Sequence, residues 1–303
     1  MADYLVAGLG EILWDVFGSS EELGGAPVNF AYHAGALGAD SIAVSTVGSD
    51  ERGRRALLEL RNRGLNTEAV SVDEEHPTGY VKADVDGQGV ASYLFPDDIA
   101  WDYLTLNAMA LSLAPLVDAV CFGTLAQRCE KSRNAIQAFL DASPQALKVY
   151  DMNLRQDFYN PEIIRSSLSR ADILKLNDEE LEIVSSMFAL EGGEEEMLKA
   201  LHDQFNLRLS VLTRGSRGSL LITDAEVVDS LGTKVEKIED TVGAGDAFTA
   251  SVVIGTLLGL GLNEICEHAG RLAAYVCTCR GAMPEVPDEF RLIRQDRIYG
   301  AKI

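Results

Sequence analysis

Asp240-Thr-Val-Gly-Ala-Gly-Asp246 runs straight into Ala247-Phe-Thr-Ala-Ser-Val-Val-Ile-Gly-Thr-Leu-Leu258. Two glycines and an alanine leave the backbone bare just where an apolar, helix-like run begins. A helix start presents unpaired N–H groups and partial positive charge, so it attracts anions. A carboxylate beside a bound phosphate would normally be repelled. Asp246 makes chemical sense there as a base that takes a proton from an attacking hydroxyl. The stretch reads as an anion hole plus a base, the parts needed to move a phosphoryl group from a nucleotide to an alcohol. The plainer reading is a turn followed by a first-turn Asp favoured by the helix dipole. The full string, its placement and its partners elsewhere in the chain favour the chemical one.

Working outward, strand-like and helix-like segments alternate. Y-L-V-A-G-L-G opens as a buried strand, and E-I-L-W-D-V-F follows as a second. Asn29–Leu37 reads as a helix closed by Gly38, S-I-A-V-S-T-V-G as a strand, and Asp50–Arg63 as a helix ending at Gly64. Strands at 119–123, 147–152, 172–177 and 209–213 follow, with helices near 129–142, after Asn160-Pro161, from Asp178, and from about 244 and 263. This alternation predicts an α/β fold: a mostly parallel central sheet with helices on both faces and ligands beyond the carboxyl ends of the strands. Thr78–Phe95 departs from the pattern. It alternates around Asp86-Gly87-Gln88-Gly89, which predicts a hairpin and a candidate lid. A second hairpin-like pair joins 209–213 to 219–223.

The 303 residues carry a formal charge of −21, which disfavours nucleic acid and anionic membranes as partners. No apolar run is long enough to span a bilayer, and the N-terminus reads as a strand rather than a signal peptide. Five cysteines, an odd number, suit a reduced, cytoplasmic chain, and the four scattered histidines give no zinc pattern.

Other polar motifs fall at strand ends. In L-G-G-A-P-V-N-F-A (23–31), Gly24-Gly25 allow close approach, Pro27 stiffens the loop and Asn29 offers a donor and an acceptor to a hydroxylated ligand. Asp15 is either an edge-strand residue facing water or an acceptor for sugar hydroxyls. Asp151-Met-Asn-Leu-Arg155 supplies Arg155 for a phosphate or a polar substrate head. Asn177-Asp-Glu-Glu180 is close to a capping box, and also suits orientation of Mg²⁺-bound water at nucleotide phosphates. Thr213-Arg-Gly-Ser-Arg-Gly218 is a turn whose Thr hydroxyl and glycines suit phosphate approach.

Taken together, G-E-I-L-W-D-V-F, L-G-G-A-P-V-N-F-A, V-G-S-D-E-R-G, D-M-N-L-R, N-D-E-E, T-R-G-S-R-G and D-T-V-G-A-G-D-A-F resemble the PfkB-type carbohydrate kinases of the ribokinase-like superfamily. G-E-x-L-x-D with G-G-A-P is most similar to the fructokinases. The resemblance implies one ribokinase-like α/β domain over 1–303, with a small β-lid from about 11–28 and 78–100, and a homodimer paired through that lid. It implies Asp246 as the base and the N–H groups of Gly243, Ala244 and Gly245 as the anion hole. Asp15, Gly25 and Asn29 would hold the sugar, with Arg155 beside them. Asn177 and Glu180 would serve Mg-ATP, and Thr213, Gly215 and Gly218 would line the nucleotide. Relatives often bind a monovalent cation such as K⁺ through positions like Asp240 and Val242 and a late loop, here R-G-A-M-P-E-V-P (280–287). Two positions depart from the family: Ser251 stands where Ala or Gly is usual, and Glu285 where ribokinases often have Ser. The resemblance thus points to an ATP-dependent sugar kinase, with fructose as acceptor. The alternatives are 2-keto-3-deoxygluconate or a nucleoside as acceptor, and a catalytically inactive sugar or nucleotide sensor.

Overall fold

The strand β1 (Leu5–Leu9) is buried along nearly its whole length and pairs in parallel on both sides, with β4 (Asp40–Gly48) and with β8 (Ala119–Phe122). The fold comes from a computed structural model that describes residues 4–18, 20–85 and 91–293. From β1 the sheet grows outward through β4 to β5 (Val70–Asp73). In the other direction it runs through β8, β9 (Leu147–Asp151), β10 (Ile173–Asn177), β11 (Leu209–Thr213), β12 (Ser219–Ile222) and β13 (Val227–Ser230). All pairings are parallel except those of β12 and β13, so the 209–223 pair is a hairpin as the sequence predicts. The chain adds strands first on one side of β1 and later on the other. The β1/β8 boundary is therefore a topological switch point, where a crevice opens at the carboxyl ends of the strands.

Successive residues of the parallel strands feed two cores, as burial on both faces requires. Ala43 and Val47 of β4 pack with α1 (Ala26–Ala36), α8 (Ala244–Leu257) and α9 (Leu262–Cys277). Ile42 and Val44 join the opposite core, where α3 (Ala108–Leu113), α4 (Glu130–Asp141), α5 (Pro161–Leu168), α6 (Asp178–Phe188) and α7 (Glu194–Phe205) contribute Ala110, Phe139, Ile164, Leu181 and Leu198. Caps set the helix starts. Asn160 accepts the Ile163 N–H ahead of Pro161, and Asp50 accepts the Gly53 N–H at the head of α2 (Glu51–Asn62).

The first helix begins earlier than its sequence suggests. Gly25, at φ 120°, is the cap and Pro27 lies in the first turn, where its missing N–H is no loss. Pro27 therefore belongs to α1 and not to a loop.

A second, four-stranded sheet has the order β3 (Ser20–Gly24), β2 (Leu13–Phe17), β6 (Gly79–Val85), β7 (Ala91–Leu94). It takes up most of the two segments expected to form a lid, while Ala26–Val28 go to α1. The hairpin tip D-G-Q-G lies outside the described residues. Asp15 sits on an inner strand, between Glu22 of β3 and Val81 of β6, which corrects its reading as an edge residue. The α2 helix anchors this sheet. Arg52 and Arg55 both bind Glu21, Arg55 stacks over Trp14, and Trp14 Nε1 donates to the Arg52 carbonyl. The α2 cap, Asp50, also accepts the N–H and the hydroxyl of Thr78 at 2.8 and 2.6 Å, fixing the point where the chain enters β6. No helix among the described residues is long and apolar enough to cross a membrane.

Candidate active site

Gly243 caps α8 in the left-handed region (φ 79°). A Cβ there would lie 2.4 Å from the Ala282 carbonyl oxygen, so only glycine fits. Asp246 follows in the first turn, where the dipole favours a carboxylate. The helix start leaves the Gly245 and Asp246 N–H groups without an intrahelical acceptor, while the Ala244 N–H leans back on Thr241 O at 3.4 Å.

Four elements meet around this turn. Asn29, buried on α1, donates from Nδ2 to Asp246 Oδ2 at 2.8 Å. Lys175, on β10 in register with Asp151 of β9, places Nζ 3.0 Å from Asp151 Oδ1. The other oxygen of Asp151 accepts the Thr249 hydroxyl of α8 at 2.8 Å. Lys175 Nζ is also 3.2 Å from where a Cβ on Gly245 would stand, so the ammonium lies against the first turn of α8. A cation at the positive end of a helix is unfavourable by itself. Here Asp151, Glu180 and Asp246 offset burial and raise the Lys175 pKa, keeping it charged. Lys175 thus sets a charged ammonium, paired with Asp151, against the bare backbone of the turn.

The carboxyl groups respond to this setting. Burial pushes Asp246 up to about 6, and Asp151 adds to the rise. The Asn29 bond, Lys175 and Arg155 oppose it. Burial likewise takes Asp15 to about 6, with Arg155 opposing and Glu22 and Asp240 adding. Glu11, just beyond β1, is raised to about 7 by burial; its own N–H and Arg155 oppose the rise, and Asp246 adds to it. Arg155 therefore acts on Asp15, Glu11 and Asp246 together. Its side chain is exposed, with Nη1 on the Leu154 carbonyl. Gly25 approaches the Glu11 carbonyl so closely that a Cβ would lie 2.4 Å from it. Gly24 leaves space for Asp15, whose Oδ2 would be 2.9 Å from a Cβ there.

The remaining motif residues lie along neighbouring strand ends. Asn177 and Glu180 form a complete capping box: Asn177 Oδ1 accepts the Glu180 N–H at 2.8 Å and Glu180 Oε2 accepts the Asn177 N–H at 2.9 Å. Glu180 Oε1 takes the Leu154 N–H at 2.8 Å, so this buried side chain ties β10 to the loop bearing Arg155. Thr213 ends β11 opposite Asn177. Gly215 (φ 54°) faces open space, whereas Gly218 (φ 96°) is required by the chain itself, since a Cβ would lie 1.9 Å from the Ser230 carbonyl oxygen. Asp240 accepts the Val242 N–H at 3.0 Å and the Gly281 N–H at 3.1 Å, joining the α8 approach to the late loop. A cavity of about 530 Å³ adjoins Asp240 through Glu239, lined also by Thr233, Lys237, Arg271, Tyr275 and Phe290. Asp246 does not line it.

Ser251 is away from this chemistry: it is buried and pairs with His268 Nδ1 at 2.6 Å. Among the described residues, no cluster of three His, Cys, Asp or Glu side chains is placed to hold a metal ion. Glu180 has both oxygens on N–H groups and fits only an outer role, through water, toward a metal carried in by a nucleotide. Asp240, similarly bonded at both oxygens, keeps lone pairs for a cation beside the α8 approach.

Sequence reasoning missed Lys175 and Glu11. Lys175 stands within a strand motif and its partner is 24 residues away. The only available signal was a charged residue in a run otherwise reading as buried strand.

A mostly parallel sheet with a glycine-rich helix start at the carboxyl ends of its strands and a small second sheet is the ribokinase-like architecture. The chain matches the pfkB family carbohydrate kinases over residues 10–289 and belongs to that family. It is 30% identical to the uncharacterized sugar kinase of Pyrococcus horikoshii over 298 residues, covering 92% of this chain and 91% of that one. It is 28% identical to the fructokinase of Escherichia coli over 277 residues, covering 87% and 88%. The P. horikoshii protein in complex with ATP superposes with a TM-score of 0.79 at 27% identity, covering 96% and 98%. The Vibrio cholerae fructokinase bound to fructose, ADP and calcium superposes at 0.77 with 23% identity, covering 94% and 96%, a likeness of fold.

Proposed function

We propose that this carbohydrate kinase transfers the γ-phosphoryl of ATP to a hydroxyl of fructose, with Asp246 as the base. The observation that carries the reading is the junction at the start of α8. Asp246 is fixed by Asn29 on one side, and Lys175 lies under Gly245 on the other. Asp15, Gly25 and Asn29 bind the sugar, and Asp246 takes the proton from the hydroxyl as it attacks. The amides of Gly243, Ala244 and Gly245 receive the charge developing on the phosphoryl group, and Ala244 releases its long bond to Thr241 to do so. Lys175 adds a fixed cation beneath them. Positioning and charge stabilisation carry catalysis of this kind.

Thr213, Gly215 and Gly218 line the nucleotide, and the cavity beside Glu239 receives its base. Mg²⁺ bound with ATP would supply charge neutralisation at the phosphates, its water shell held by Asn177 and Glu180. A monovalent cation such as K⁺ would sit at Asp240 and the Val242 carbonyl. The four-stranded sheet serves as a lid that keeps water from competing with the sugar. Two copies would pair through its outer face, where Leu94 of the edge strand β7 is 59% exposed.

Fructose is favoured over an acidic acceptor by charge. Asp15, Glu11 and Asp246 share the field of Arg155, and a substrate carboxylate would meet all three. The likeness to named fructokinases supports the same choice. The test is ATP consumption over fructose, ribose, glucose, 2-keto-3-deoxygluconate and adenosine, each with Mg-ATP and again with EDTA. The expected result is the highest kcat/KM for fructose and no turnover in EDTA. A higher value for 2-keto-3-deoxygluconate would overturn the acceptor. Full activity in EDTA would overturn the Mg-ATP reading.

A further inference from the structure

Every carbonyl from Ala282 to Glu285 in the late loop is held by a side chain from elsewhere. His33 Nε2 meets Ala282 O at 2.9 Å, Arg63 Nη1 reaches Met283 O, Tyr32 Oη reaches Pro284 O at 2.7 Å, and Tyr275 Oη reaches Glu285 O at 2.7 Å. Just before them, the Gly281 N–H is held by Asp240 at 3.1 Å. The donors come from α1, the end of α2 and α9. Ala282 and Met283 are buried, so their carbonyls need partners from the protein, whereas Glu285 is exposed and still receives a tyrosine hydroxyl where water would serve.

The Ala282 carbonyl is the one that matters for the site. It stands against Gly243, the cap of the anion-binding turn, at a distance that excludes any side chain there. His33 lies one turn after Asn29 on α1, so both side chains leave the same face of the helix. Asn29 holds the base and His33 holds the loop that backs the anion hole.

His33 is poorly suited to stability alone. It is fully buried, and its Nδ1 has no hydrogen-bond partner. Burial keeps the ring neutral, with its pKa lowered to about 4. A carbonyl only accepts, so the single proton sits on Nε2 and Nδ1 stays unmet. An apolar side chain would remove the orphaned nitrogen and strand the Ala282 carbonyl in its place, so the two choices are close to balanced in stability.

We propose that His33 is a positioning residue for phosphoryl transfer: its Nε2–H holds the Ala282 carbonyl against Gly243 and so fixes the first amides of α8 relative to Asp246. This rests on the assignment of that turn as the anion hole. Misplacing a catalytic group by about 1 Å costs on the order of 10²-fold, and loss of one oxyanion donor costs similarly. His33→Leu exchanges one unmet polar atom, Nδ1, for another, the Ala282 carbonyl, so its Tm should stay close to wild type. Its kcat should fall by about 10- to 100-fold with the acceptor KM within about threefold. His33→Gln keeps an N–H donor and should recover most of the lost kcat.

Wild-type kcat in His33→Leu, or an equal loss in His33→Gln, overturns the proposal. If His33→Leu does not fold, His33→Met, a flexible side chain that likewise lacks the donor, takes its place, and wild-type kcat there overturns the proposal. Backbone hydrogen exchange at Gly243–Gly245 separates this claim from the kinase reading, because it needs no turnover. Faster exchange there in the variant supports the clamp, and unchanged exchange overturns it whatever the acceptor proves to be.

Discussion

Lys175→Met tests the charge balance beneath the proposed anion hole. The side chains of Lys175 and Asp151 are 10% and 5% exposed, with Nζ and Oδ1 3.0 Å apart. The substitution preserves most of the packing volume and strands Asp151. Breaking one side of a buried ion pair destabilises by about 3–5 kcal/mol. Asp151 retains the Thr249 hydroxyl, which offsets about 1 kcal/mol of the loss. The expected destabilisation is therefore about 2–4 kcal/mol, measured by urea unfolding of the apo-protein with constant m-value. Asp151→Asn combined with Lys175→Met removes both charges and should restore at least about 1 kcal/mol relative to Lys175→Met alone. With the cation gone, kcat should also fall by about 10²- to 10³-fold. A loss of stability below about 1 kcal/mol, or a double variant no better than the single, would refute the reasoning.

Two further outcomes follow from the site and its anchors. Glu11, Asp15 and Asp246 have folded-state pKa values raised to about 7, 6 and 6 from ordinary values of 4.5, 3.8 and 3.8. In that window the native state holds protons that the unfolded chain releases, so stability falls as pH rises. This contribution is complete below about 4 and lost through about 6 to 7. The apo-protein should melt at a higher temperature at about pH 5.5 than at about pH 8, and a Tm rising over that interval would contradict the assignment. Asp50→Ala removes both the α2 cap and the ties to Thr78. If the second sheet is a lid, acceptor KM and the ratio of ATP hydrolysis to transfer should both rise, and neither changing would show that it is not.

What the sequence reveals depends on how local the cause is. The turn at Gly243–Asp246 is legible because backbone freedom, helix start and carboxylate are consecutive. So are the caps at Asp50, Asn160 and Asn177, each within three residues of its partner. The strand β3 is not legible: S-E-E-L-G lacks strand propensity, and forms one because β2 pairs with it and two arginines hold Glu21. The helix α7 has a readable acidic first turn and apolar spacing at Leu198 and Leu201, but the run of glutamates after Gly192-Gly193 looks like a solvated loop. Within the site, the Asn29–Asp246 bond spans 217 residues and Thr249–Asp151 spans 98. Such pairings are set by sheet order, and no local pattern encodes them. The same holds for His33, whose role appears only when α1 meets the late loop.

Asp246→Asn is the most direct test of the central claim. The variant keeps the first-turn position and a similar shape, so fructose and Mg-ATP should bind with affinities close to wild type by calorimetry. Single-turnover transfer of the γ-phosphoryl should fall by about 10²- to 10⁴-fold, the loss expected when a hydroxyl nucleophile has no base. Near wild-type transfer with binding intact would contradict the assignment of Asp246 as the base.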